Sequence, residues 1–286
     1  MHRGARTAAL ACMLLAACGS QPAKPKPPAV STALEANRRA EAQLRGGDLE
    51  GAARGYREAL RASQALEDPD GIAANAINLS IVYQRLGRLA DARTSLAPVL
   101  EQPNLKFAPE RLAQASLRRA LIDLDERRYA SAGEWAGRAE SQCGACPLSA
   151  AIHNVQGQLA LESGRLDAAG AGAQRALDAS RASGDRAETA NALRLMGLVA
   201  LRSGDGTAAA ARMGEALAVD RDLAAPRKIY LDLVGLGRAS VLLGERDAAR
   251  AYYERALAVS EAERDTRGIA EASALIRTLE QKPASQ

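Results

Sequence analysis

The sequence predicts an all-α fold built as a solenoid of stacked helix pairs, and three observations lead there. Of its 286 residues 47% are hydrophobic but only 3% are aromatic, with one Trp and one Phe, while alanine alone supplies 65. Strands favour aromatic and β-branched side chains, whereas a core of Ala and Leu suits helices in close approach. Glycine then recurs at Gly47, Gly87, Gly164, Gly204 and Gly244, with spacings of 40, 77, 40 and 40, and the missing member falls at Arg127. With 24 glycines in the chain, chance rarely produces such a register. Small residues keep step with it, which makes the repeat unit a pair of tightly packed helices.

The chain opens with His2, Arg3 and Arg6, an apolar stretch from Thr7 to Ala17, and Cys18. That stretch is too short for a bilayer span, which needs about 20 residues in a helix. It suits the apolar region of a secretory signal. Leu15-Ala16-Ala17-Cys18 resembles the bacterial lipobox, so residues 1–17 are read as a removed signal peptide. The resemblance implies a diacylglyceryl group on the Cys18 thiol and an acyl chain on its freed amine. Each buried methylene contributes about 0.8 kcal/mol, so several chains hold a membrane firmly where one does not. Gly19, where Asp would signal retention, implies the outer membrane, with the repeats facing the periplasm. The alternative is an ordinary signal with Cys18 left as a free thiol, which makes the protein soluble and secreted.

Residues 18–32 carry four prolines and two lysines without apolar periodicity, and read as a polyproline-type tether. Loss of Arg3 and Arg6 lowers the net charge from +4 to +2, and no Lys/Arg run suggests nucleic acid.

Six repeats fill 33–262, at approximately 33–72, 73–112, 113–149, 150–189, 190–229 and 230–262. Five residues beyond each glycine position stand Ala52, Ala92, Ala132, Ala169, Ala209 and Ala249. Seven further on stand Ala59, Val99, Ala139, Ala176, Ala216 and Ala256, and seven before the glycine stand Ala40, Ser80, Ala120, Gly157, Gly197 and Gly237. This pattern resembles the tetratricopeptide repeat (TPR) in its 40-residue form. The small residues let two helices meet, and the glycine ends the first helix in a left-handed turn. Repeat 3 departs most, with Arg127 at the turn and Glu140 in place of a core Leu; repeat 1 has Arg39 where Leu is usual. Ile269, Ala272, Leu275, Ile276 and Leu279 then mark 263–281 as an amphipathic capping helix, and 282–286 read as a disordered tail. The resemblance implies a right-handed superhelix with a concave face formed mainly by the first helices.

With Cys12 removed and Cys18 lipidated, Cys143 and Cys146 remain as Cys-Gly-Ala-Cys. An oxidising periplasm favours a disulfide between them, stapling a tight turn between repeats. Two other chemistries stay open: thioredoxin-like redox exchange, which normally needs a βαβ setting, and a metal site shared with His153. No H-E-x-x-H, Walker A or G-x-S-x-G occurs, so neither enzymatic activity nor a cofactor is expected.

The resemblance places positions 5, 9 and 12 of each first helix on the concave face. The partner-binding groove is therefore expected at Asn37, Ile77, Ile81, Leu117, Leu121, Asn154, Gln158, Arg194, Leu198 and Arg238. An apolar stripe rimmed by polar groups suits a docked peptide or helix. The expected function is a membrane-anchored TPR scaffold or adaptor in envelope, pilus, secretin or outer-membrane assembly.

Overall fold

A computed structural model describes residues 28–281 except 103 and 145, with side chains from residue 31 onward. The signal peptide, the lipidation site Cys18, most of the tether and the tail 282–286 lie outside the described residues.

Helices are the only regular structure among the described residues. They form six pairs and a cap. The pairs are α1 (Pro28–Arg45) with α2 (Leu49–Ala65); α3 (Pro69–Arg85) with α4 (Leu89–Thr94) and α5 (Ala97–Leu100); and α6 (Pro109–Asp125) with α7 (Tyr129–Cys143). Then come α8 (Ser149–Glu162) with α9 (Leu166–Ser183), α10 (Arg186–Arg202) with α11 (Gly206–Asp222), α12 (Pro226–Leu242) with α13 (Arg246–Ala262), and the cap α14 (Thr266–Gln281). Each helix packs on its neighbours in the chain, and the buried side chains form a string of clusters with no single core.

One turn chemistry repeats six times. The N–H of Asp48, Arg88, Arg128, Arg165, Asp205 and Glu245 each donates to the carbonyl five residues earlier, at 2.7–2.9 Å. This closes a helix end around a left-handed residue. Glycine occupies that position in five turns, and Arg127 takes it in the third with φ 57°. Asp48 and Asp205 also cap α2 and α11 through their carboxylates. The alanine ladder lies where the helices meet: Ala40, Ala52, Ala59, Ala92, Ala132, Ala169, Ala209 and Ala249 are all fully buried. At Gly172 the backbones themselves meet, because a Cβ there would stand 2.7 Å from the Gly157 Cα, and at Gly237 a Cβ would stand 2.2 Å from the Tyr253 ring.

The structure corrects three readings. Residues 28–32, expected in the tether, belong to α1; proline is well tolerated at the first helical position, and none follows it in α1. The other first helices also begin ahead of the expected boundaries, with Pro69, Pro109 and Pro226 opening α3, α6 and α12. Finally, the second helix of repeat 2 is broken at Ser95–Leu96. Pro98 lacks the N–H that would bond Thr94, and its ring crowds that carbonyl.

First helices of successive repeats touch (α3 with α6, α8 with α10, α10 with α12), whereas second helices do not pack on one another to that extent. The stack therefore curves with its first helices on the inside. Repeat 3 is set apart by the connections from α5 to α6 and from α7 to α8, which among the described residues do not show the closed turn. The other links between pairs repeat the closed turn, with the N–H of Asp68, Asp185, Ala225 and Asp265 on the carbonyl five residues back.

Candidate partner-binding groove

The inner surface sorts the ten expected groove residues into two kinds. Ile77, Ile81, Leu121 and Leu198 are half-buried, Gln158 is exposed, and Arg238 is exposed in an ion pair with Glu271 at 3.1 Å. The others turn toward the next repeat. Asn37 donates to Asn75 at 2.7 Å, and Asn154 donates to the Glu188 carboxylate at 2.7 Å while its own Oδ1 stays buried without a partner. Leu117 is buried, though it still lines a hollow in the groove.

Arg194 is corrected outright: it is a buried structural cation, not an exposed groove residue. Only 6% of it is accessible. Its Nε donates to Asp232 at 2.6 Å, Nη2 reaches Asp220, and Nη1 donates to Asn191 at 2.9 Å. Lys228 joins from α12 by donating to Asn191 at 3.0 Å. Burial pushes the Asp232 carboxyl up to about 7, against the pull of the adjacent guanidinium, with Asp220 adding to the rise. Burial, with Arg194 close by, lowers the Lys228 ammonium. The network ties α10, α11 and α12 together. Sequence spacing could not reveal it, because Asp220 and Asp232 are ordinary helix residues until the stack brings them to Arg194.

Arg118, one turn along α6 from Gln114, was missed by the groove pattern. Its Nε donates to Ser80 at 3.5 Å and its Nη2 to the Gln84 amide carbonyl, and among the described residues it makes no ion pair. Gln84 in turn donates to Asp125. Burial lowers this guanidinium to about 10, with Asp125 pulling the other way. The side chain stands between two hollows. One, of about 370 Å³, is lined by Ile77, Leu117, Leu148 and Arg111. The other is a cleft of about 760 Å³ with Ile81, Gln84 and Asp125 on one wall and Pro226, Tyr230, Arg264 and Arg267 on the opposite one. The solenoid thus curls far enough to bring repeats 2 and 3 opposite repeat 6 and the cap.

Cys143 and Cys146 are joined in a disulfide with Cα atoms 5.1 Å apart, between helices α7 and α8. The Leu148 N–H and the Ser149 hydroxyl hydrogen-bond to Cys146, closing the turn. His153 is half-buried beside Gln156, and among the described residues no group of three or more His, Cys, Asp or Glu could hold a metal ion. Asp123, which a solvated helix end would expose, is fully buried and accepts from Ser131 at 2.6 Å and from Arg119 at 3.3 Å. No described helix is long and apolar enough to cross a membrane.

No family model and no curated protein matches the sequence. Solved structures match it in fold. A tetratricopeptide repeat protein from Parabacteroides merdae aligns with a TM-score of 0.50 at 14% identity, over 86% of this chain and 99% of that one. The fold is a TPR-type helical solenoid. A Rap protein complexed with competence and sporulation factor gives a TM-score of 0.63 at 14% identity, over 88% of this chain and 71% of its own. PilW, a type IV pilus biogenesis factor, gives 0.57 at 15% identity, over 84% and 97%. In such a solenoid the inner face is a continuous surface assembled from one helix per repeat, and here that surface holds the cleft and the stripe beside it.

Proposed function

We propose that this chain is a non-enzymatic scaffold or adaptor, anchored to the outer membrane by lipid at Cys18, which holds a peptide or helix of a protein partner in its concave groove on the periplasmic side. The observation that carries this reading is the inner surface itself. Ile77, Ile81 and Leu121 form a half-buried apolar stripe that opens into hollows of about 370 and 760 Å³. A surface of that shape suits a bound segment better than a small molecule, because the cleft is open and its walls come from distant repeats. The similarly folded Rap protein was solved with competence and sporulation factor, which supports a solenoid of this kind as a receptor. The likeness to PilW, together with the lipobox, favours pilus or envelope assembly over other processes.

A photo-crosslinking residue placed at Ile81 or Gln158 in living cells is expected to capture one specific partner, while one at the exposed Gly137 on α7 captures none. The reverse pattern would move the binding surface to the second helices. Palmitate labelling tests the anchor. It should disappear in Cys18→Ser, and label that persists contradicts the lipid assignment.

A further inference from the structure

Resting on that groove reading, the structure points to the chemistry of the occupant. We infer that the groove takes an acidic peptide segment of another protein, whose carboxylate pairs with Arg118 and whose neighbouring aliphatic side chain seats between Ile77 and Leu117.

The first support is an unfinished cation. A guanidinium carries five N–H donors in a fixed fork that matches a carboxylate. Among the described residues only Nε and Nη2 of Arg118 find acceptors, and both acceptors are neutral. Asp125, the carboxylate that could have neutralised it, is held one step away by Gln84. Arg118 is half-buried, and a charge partly withdrawn from water normally comes with a counter-charge. Arg194, on the first helix of repeat 5, has two.

The second support is the charge of the surrounding cleft. Arg85, Arg264 and Arg267 line it and make no ion pair among the described residues. Asp265, on the same wall, is already engaged, with Arg227 at 3.2 Å and with the first N–H groups of α14. Asp125 and Glu263 also line the cleft without an ion pair among the described residues, so its walls carry five arginines against three carboxylates, and complementarity with this net positive charge calls for an anion.

Two features choose among anionic occupants. The chain's own segments outside the described residues carry Lys24, Lys26 and Lys282 but no Asp or Glu, so they cannot supply the carboxylate side chain. Beside Arg118 lies an apolar hollow walled by Ile77, Leu117 and Leu148, which suits an aliphatic side chain. Single-stranded nucleic acid wants aromatic platforms for its bases, and Tyr230 is the one aromatic residue lining the cleft.

The test is a displayed library of random twelve-residue peptides, panned on the purified full-length protein. Enriched peptides are expected to carry Asp or Glu next to Leu, Ile, Val or Met. Their affinity should fall about tenfold or more in Arg118→Gln, recover in part in Arg118→Lys, weaken with added salt, and vanish in Ile77→Asp. Peptides that bind Arg118→Gln undiminished but are lost in Ile77→Asp overturn the carboxylate assignment and leave the groove standing. Peptides indifferent to both substitutions overturn the groove as well. An oligothymidine of the same length that binds through Arg118 more tightly than the peptides would also overturn the inference.

Discussion

Repeats 3 and 5 each draw an arginine of the first helix inward, Arg118 half-buried and Arg194 buried, and their surroundings differ in the charge they offer. Arg194 meets Asp220 and Asp232, which arrive from the two following helices and take its charge. Arg118 meets Ser80 and Gln84, which are neutral and arrive from the preceding repeat. The remainder of each repeat follows the same contrast. Repeat 5 has Gly204 at its turn and closed turns on both sides, whereas repeat 3 has Arg127 and links at either end that do not show the closed turn among the described residues. A buried cation whose charge is matched belongs to the architecture. Arg118, half-buried beside a hollow and without a carboxylate partner among the described residues, is the one the proposal assigns to a ligand.

Stability should separate the two arginines most sharply. Arg194→Ala strands two buried carboxylates, and removing one partner of a buried pair costs about 3–5 kcal/mol. Arg118→Gln removes hydrogen bonds to neutral groups and should cost about 1 kcal/mol. Urea unfolding of both variants measures the gap, and equal losses would erase the distinction.

The pH dependence should divide them next. Asp232 has a folded-state pKa raised to about 7 from 3.8, so the native state holds a proton across that window which the unfolded chain releases. Its contribution to stability is present below the unfolded value and is lost as pH rises through 7. The Tm of the wild type relative to Asp232→Asn should therefore decline between pH 4 and pH 7. Arg118→Gln should follow the wild-type curve throughout. A difference that grows with pH would contradict the raised carboxyl.

The smallest effect concerns the turns. Arg127 is held at φ 57°, where an L side chain costs roughly 1–2 kcal/mol and glycine does not. Part of that gain is offset by the freer unfolded chain. Arg127→Gly should therefore stabilise repeat 3 by about 0.5–1 kcal/mol, seen as a small rise in Tm, and bring its turn into line with that of repeat 5.

How much of this was legible beforehand follows from what each feature depends on. The helix pairs, the turns and the alanine ladder are set by residues close in sequence and repeat six times, so the register exposes them. Arg127 could be placed at a turn because the other five turns carry glycine. Pro98 was a local signal too, and it marks the break between α4 and α5. The groove was legible only as a stripe. Ile77 and Ile81 remain available, but Arg194 and Asn154 are engaged by side chains 38 and 34 residues away, a distance that no single-helix pattern encodes. Arg118 was passed over because it stands one residue outside the pattern. Its role depends on Gln84 and on the curl that brings α12 and α14 opposite α3.

The most direct measurement pairs binding with stability in the same two variants. Arg118→Gln and Arg194→Gln are each assayed for capture of the cellular partner by a crosslinker at Ile81, and for their urea midpoint. The account predicts that Arg118→Gln loses the partner and keeps its midpoint near that of the wild type, while Arg194→Gln loses stability first. A stable Arg118→Gln that still captures the partner at the wild-type level would contradict it.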